Sequence, residues 1–217
     1  MSNDWKTYAT VAVAGYICGS ISWAVVIGRL KGVDIRKEGS GNPGATNVTR
    51  VLGKKWGVLC FFLDFLKGLL PTLAATWLLA DVPAAAVCAG AAAVVGHMWP
   101  IFLGFKGGKG VSTTAGALAA LAPLSLLISG ALWGVVFKIS RYVSLASVLA
   151  ALALPLSAFA LDAAGIYTLP AATVAVLTAL SAVSILKHAG NIRRLANGTE
   201  NKFEKKKKGE SNENGGA

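Results

Sequence analysis

Five stretches of this chain are continuously apolar for about twenty residues: Thr7 to Ile27, Trp56 to Ala80, Ala84 to Leu103, Tyr142 to Leu161 and Tyr167 to Leu186. An α-helix rising about 1.5 Å per residue crosses about 30 Å of hydrocarbon in that length. No water is present there to satisfy backbone N–H and C=O groups, so a chain built this way must fold as helices. A hydrophobic content of 54%, only 14% charged residues and a mean hydropathy of +0.60 exclude a soluble domain of this size. The expected fold class is an all-α, polytopic membrane protein. The first run follows a single lysine and lacks a small-residue cleavage pattern, so it reads as a retained helix.

The charges set the sidedness. Of the 21 Lys and Arg residues, all but Lys6 and Lys67 fall between Arg29 and Lys55, at Lys106 and Lys109, at Lys138 and Arg141, or from Lys187 onward. Positive residues mark the cytoplasmic face. The alternate connections are short and carry acids, Asp81 and Asp162, which places them and the N-terminus outside.

Residues 111–137 must then go down and come back, so that Lys138 returns to the cytoplasm. Pro123 marks the turn, between two segments of about a dozen residues that are too short for two full crossings. Counting both gives seven transmembrane or partly spanning helices, with the N-terminus outside and the C-terminus cytoplasmic. Five spans plus a re-entrant hairpin have the same sidedness, and charge does not separate the two. Residues 1–200 read as one helical membrane domain with three cytoplasmic motif loops. Residues 201–217, NKFEKKKKGESNENGGA, read as a disordered Lys-rich tail.

Every unusual polar cluster falls on the cytoplasmic side. In GSGNPGATNVTR, beginning at Gly39, the glycines Gly39, Gly41 and Gly44 let successive N–H groups converge on an anion, while Ser40, Asn42, Thr46 and Asn47 add donors and Arg50 a charged fork. The run matches GxGxxG, but no strand precedes it and Asp64, about twenty residues on, lies inside an apolar helix, so it is not a dinucleotide fingerprint.

In GHMWPIFLGFKGGKGVSTTAG, beginning at Gly96, the turn Lys106-Gly107-Gly108-Lys109-Gly110 opens a helix with two ammonium groups beside free N–H groups, a sound phosphate site. In HAGNIRRLANGTE, beginning at His188, the residues His188, Asn191 and Arg194 share one helix face. Glu200 reads as a salt-bridge partner for the nearby arginines. Asp64 and Lys67 form an i, i+3 pair inside the second long run and read as a structural ion pair. Cys18, Cys60 and Cys88 all lie in apolar runs and suggest neither a disulfide framework nor a metal cluster.

These three motifs, in this order, resemble the bacterial membrane glycerol-3-phosphate acyltransferases that use acyl phosphate as donor, the PlsY family. The resemblance covers Gly15 to Glu200; Ser112 departs from it, standing where alanine is common. It implies a seven-helix enzyme of the bacterial inner membrane. Its reaction joins acyl phosphate and sn-glycerol 3-phosphate to give 1-acyl-glycerol 3-phosphate and inorganic phosphate, the first acylation of phospholipid synthesis.

The implied partners are those substrates and membrane lipid, with no cofactor, metal, nucleic acid, acyl carrier protein or coenzyme A. The HxxxxD pattern of thioester-using acyltransferases is absent, since Phe102 follows His97 by five residues and Arg193 follows His188 by five. By the resemblance, His188, Asn191 and Ser40 are the expected catalytic residues. Gly39, Gly41, Asn42, Thr46, Asn47, Arg50, Lys106, Gly107, Gly108, Lys109, Gly110 and Ser147 are expected to bind substrate. Either His188 or a substrate phosphate serves as base. The competing class is a transporter of an anionic phosphorylated solute, against which stands the crowding of all polar clusters on one face and the lack of an internal repeat.

Overall fold

The structure is a computed structural model and describes residues 4–82 and 84–203. Its helices are α1 (Asp4–Ser20), α2 (Trp23–Leu30), α3 (Ala45–Leu52), α4 (Lys54–Leu78), α5 (Ala85–Met98), a 3-10 turn (Ile101–Leu103), α6 (Val111–Leu121), α7 (Pro123–Ser140), α8 (Val143–Ala163), α9 (Ala171–Lys187) and α10 (Ala189–Ala196). No strand occurs among the described residues, so the all-α membrane class holds. Five segments are long and apolar enough to cross a bilayer, α1 counted with α2; α9 and α10, bent by 53°, make a sixth if taken together. The shorter apolar helix α6 has 11 residues, about 16 Å at the helical rise, roughly half of a hydrocarbon core.

The turn at Ala122 and Pro123 is present, with Pro123 at the first position of α7, where its missing N–H and fixed φ are tolerated. The two limbs are unequal. The expectation of about a dozen residues each is corrected to 11 and 18, because α7 runs on through Trp133 and Phe137 to Ser140.

Two further expectations are corrected. The first apolar run is not one helix but breaks at Ser20-Ile21-Ser22. Lys67 Nζ donates to the Ile21 carbonyl at 2.6 Å, satisfying a backbone group that the break sets free. The same ammonium lies 2.8 Å from Asp64 Oδ1, with both side chains no more than 4% exposed. The pair therefore stands where it was expected, and it also closes the break. In addition, residues 45–52 are helical, not part of a loop, so Thr46, Asn47 and Arg50 project from α3.

Small residues set the closest helix contacts. A side chain at Gly15 or Gly19 of α1 would strike the α5 backbone at Ala89 or Ala93, so the four small residues, each pair four apart, bring those helices together. Gly68 of α4 meets the Thr113 carbonyl of α6 in the same way, and Gly116 of α6 meets the Phe65 carbonyl of α4. By contrast α7 leans mainly on α8 and touches α6 more lightly, with only Ser125 and Ser129 buried. The α7–α8 hairpin stands as one wall, and a cavity of about 1260 Å³ lies between it and the rest of the bundle.

Candidate active site

The cavity gathers all three motifs at one end of the bundle. Its polar end is lined by Ser40, Gly41, Asn42, Thr46 and Arg50 from the first, Lys106, Gly107, Lys109 and Gly110 from the second, and His188, Asn191, Arg194 and Glu200 from the third. Ser144 and Ser147 of α8 join them, and below run Leu118, Leu126, Leu127, Ala150, Ala151 and Leu154.

The first wall is shaped by Asn47, which is 1% exposed. Its Oδ1 accepts from the Ser40 N–H at 2.8 Å, and its Nδ2 donates to the carbonyls of Ile35 and Glu38, each at 2.9 Å. Both of its donor hydrogens are thereby committed to folding residues 35–40 over α3. Gly39 adopts φ +59°, and a side chain there would strike the Asn47 amide, so this glycine shapes the loop from behind the cavity lining. Arg50 reaches the other way, donating to the Asn201 carbonyl at 3.3 Å and lying over the Phe203 ring at 5.2 Å. Phe203 in turn meets Phe137 edge-on, and its N–H donates to the Arg141 carbonyl at 3.0 Å. Within the stretch expected to be a disordered tail, residues 201–203 make these contacts with Arg50, Phe137 and Arg141, and residues 204–217 lie outside the described residues.

The second wall depends on His97, buried in α5. Its carbonyl accepts from the Gly108 N–H at 3.1 Å, and a side chain at Gly108 would collide with its ring, so Gly108 sits behind the lining as a close-packing residue. His97 Nδ1 lies 3.7 Å from Asp64 Oδ1, tying this loop to the ion pair in α4. Lys187 Nζ donates to the Met98 carbonyl at 3.0 Å and lies over the Trp99 ring.

The third wall carries a polar relay. Lys109 donates to Asn191 Oδ1, Asn191 Nδ2 donates to Glu200 Oε1 at 2.7 Å, and Ser144 Oγ donates to the same oxygen at 2.9 Å. Arg194 Nε pairs with the other carboxylate oxygen at 2.8 Å. Glu200 is therefore an arginine partner, as expected, and also a junction with Asn191 and α8, which its place in the sequence does not reveal. Burial alone would raise its pKa, but hydrogen bonds from Asn191, Ser144 and Arg194 outweigh that and hold it below the usual value.

Burial presses Lys109 the other way, down to about 8, with Glu200 opposing the shift and Arg194 and Arg50 adding to it. His188 Nδ1 lies 2.8 Å from the Ser184 carbonyl, which only accepts, so Nδ1 carries the proton and Nε2 presents a lone pair. Trp133 Nε1 donates to Ser147 Oγ at 3.1 Å across the α7–α8 wall.

Residues 9–198 match the family model described as glycerol-3-phosphate acyltransferase. The chain belongs to that family. It is 46% identical over 200 residues to the glycerol-3-phosphate acyltransferase of Aquifex aeolicus, covering 89% of this chain and 97% of the relative. The Geobacter sulfurreducens protein of the same name is 45% identical over 194 residues, covering 89% and 96%. The fold matches a crystal structure of PlsY, an integral membrane glycerol 3-phosphate acyltransferase, in its glycerol 3-phosphate form, with a TM-score of 0.83, 45% identity and coverage of 91% of this chain and 96% of that one. The lysophosphatidic acid form of that enzyme matches with a TM-score of 0.81 and 44% identity, covering 91% and 95%. Family membership and the integral membrane fold thus agree with the resemblance carried by the three motifs.

Proposed function

We propose that this member of the family transfers an acyl group from acyl phosphate to the 1-hydroxyl of sn-glycerol 3-phosphate, releasing lysophosphatidic acid and inorganic phosphate without acyl carrier protein or coenzyme A. The observation that carries this reading is one cavity with two characters, cationic and glycine-rich at the loop end and apolar along α6, α7 and α8. From the level of Ser144 to that of Leu154 the wall of α8 descends ten residues, about 15 Å or half of a hydrocarbon core. That depth suits an acyl tail held at the same level as the chains of one leaflet.

Neither histidine in the cavity wall is hydrogen-bonded to a serine or cysteine side chain among the described residues, and the recorded partner of His188 is a backbone carbonyl. Such a site suits a donor that arrives activated, with phosphate as its leaving group. The protein's task is then to position two phosphates and aim a hydroxyl, and orientation of this kind is worth roughly 7 to 11 kcal/mol. Ser40, Thr46, Arg50 and Lys109 hold phosphate oxygens. His188 Nε2 takes the proton of the attacking hydroxyl and passes it to the departing phosphate, while Asn191 keeps Lys109 and Glu200 in register. Among the described residues, the Lys and Arg other than Lys6 and Lys67 fall in or beside the connections at the loop end, which supports a cytoplasmic site in a bacterial inner membrane.

Purified protein mixed with palmitoyl phosphate should release inorganic phosphate only when glycerol 3-phosphate is added, and palmitoyl-coenzyme A should not replace the donor. Well-folded protein that turns over the thioester and ignores the acyl phosphate would overturn this reading.

A further inference from the structure

Serine and threonine in apolar helices ordinarily turn their hydroxyls back onto their own backbone. Several here do so: Thr72 to the Gly68 carbonyl at 2.7 Å, Thr76 to Thr72 at 2.9 Å, Thr178 to Val174 at 2.8 Å and Ser157 to Leu154 at 2.9 Å. Thr114 of α6 and Ser181 of α9 do not. They are 7% and 4% exposed, line the cavity, and have no hydrogen-bond partner among the described residues. A buried hydroxyl without a partner destabilises the fold, and a ligand that accepts its hydrogen bond relieves that cost.

Their level in the bundle identifies that ligand. Ser184 Oγ contacts the Lys109 carbonyl at 3.4 Å, and Ser181 lies three residues further down α9, about one helical turn below. Thr114 lies one turn below Gly110, whose carbonyl accepts from its N–H at 2.7 Å, and α6 packs against α9. Both hydroxyls thus sit one turn beneath the loop that carries Lys109 and above the apolar lining at Leu118 and Leu154. In an acyl phosphate oriented with its phosphate at the loop and its tail below, the group at that level is the carbonyl.

We infer that Thr114 and Ser181 donate hydrogen bonds to the carbonyl oxygen of the acyl donor and stabilise the oxyanion that forms on it. This rests on the donor and orientation given under the proposed function. When the glycerol 3-phosphate hydroxyl oxygen attacks, its bond to the acyl carbon forms and the carbonyl π pair moves onto oxygen, facing the two hydroxyls. The pair then returns, the bond from carbon to the phosphate oxygen breaks, and the hydroxyl proton ends on the released phosphate. Charge on that oxygen is greatest in the transition state, so the two donors hold it more strongly there than they hold the neutral carbonyl of the bound donor, and their loss falls mainly on kcat.

The test uses the full-length enzyme with Thr114→Val, Ser181→Ala and the double variant, assayed with palmitoyl phosphate and glycerol 3-phosphate. The double variant should lose roughly 10²-fold or more in kcat, with the KM for glycerol 3-phosphate unchanged and Thr114→Ser restoring the rate. Hexadecyl phosphate, which has no carbonyl, should inhibit the wild type and all variants equally. Ser125→Ala is the control, because Ser125 is equally buried and unpartnered but lies outside the cavity lining. Should the single variants keep kcat within about threefold of wild type, or Ser125→Ala lose as much as they do, the assignment fails while the donor reading stands. A wild-type enzyme that ignores palmitoyl phosphate removes the donor reading, and this assignment with it.

Discussion

Lys109 donates a hydrogen bond to the side chain of Asn191, joining the glycine turn before α6 to the short helix that follows α9. Because Asn191 also donates to Glu200 at 2.7 Å, one amide holds a cation and an anion apart and in line.

Replacing Asn191 by Ala removes both contacts at once. Hydrogen bonds to charged groups contribute roughly 1.5 to 3 kcal/mol, so kcat/KM should fall by about one to two orders of magnitude while the helical content of the purified protein is preserved. Phosphate release and circular dichroism on one preparation check both halves of the statement.

The position of Lys109 gives a pH signature. Its pKa near 8 means that the free enzyme loses the ammonium as pH rises through that value, so kcat/KM should decline on the alkaline side of about pH 8. A bound phosphate favours the charged form, so the corresponding limb in kcat moves upward. The stability consequence has the opposite sense: burying the charged lysine costs stability below about pH 8, and the cost fades as pH rises toward the unfolded value near 10.4. Lys109→Arg should abolish the limb, whatever its effect on the maximum rate.

Glu200 behaves in the contrary direction. Its folded-state pKa lies below the unfolded one, so it contributes stability at neutral pH that is lost as pH falls through the lowered value. Glu200→Gln should flatten the acid side of a melting-temperature profile, and a variant with the wild-type acid sensitivity would disprove the assignment.

For His188→Gln, the loss should appear in kcat, roughly 10²- to 10⁴-fold for removal of an acid–base group, with a small change in the KM for glycerol 3-phosphate. A large rise in that KM with kcat intact would make His188 a binding residue instead.

Asp64 and Lys67 should respond as a unit. Truncating Asp64 alone to Ala leaves a buried ammonium and should cost about 3 to 5 kcal/mol, seen as a lower melting temperature in detergent. The double variant Asp64→Leu, Lys67→Met removes the unpaired charge but also the donor to the Ile21 carbonyl, so it should recover only part of that loss.

What the sequence discloses and what it hides follow from where the cause of each feature lies. Pro123 announces its turn because the cause is in the residue itself. The break at Ser20-Ile21-Ser22 contains neither proline nor glycine, and the side chain that caps it comes from 46 residues away. The glycine-dense motifs stand out against an apolar chain, so the three walls of the site are legible, whereas α3 is hidden by the glycines that precede it. Phe203 is masked by the lysines around it and seats on Phe137 and Arg50 only through tertiary contact. Thr114 and Ser181 are the least legible, since nothing in their neighbours distinguishes a hydroxyl bonded to its own helix from one left open to a cavity.

The contact between Lys67 and the Ile21 carbonyl bears on how the protein is made. A free carbonyl at membrane depth costs several kcal/mol, so the break at residues 20–22 is tolerable only once α4 supplies its donor. In a nascent chain halted before Lys67, the first hydrophobic segment should therefore stay one unbroken helix that satisfies its own carbonyls, and bend only after the fourth helix has emerged.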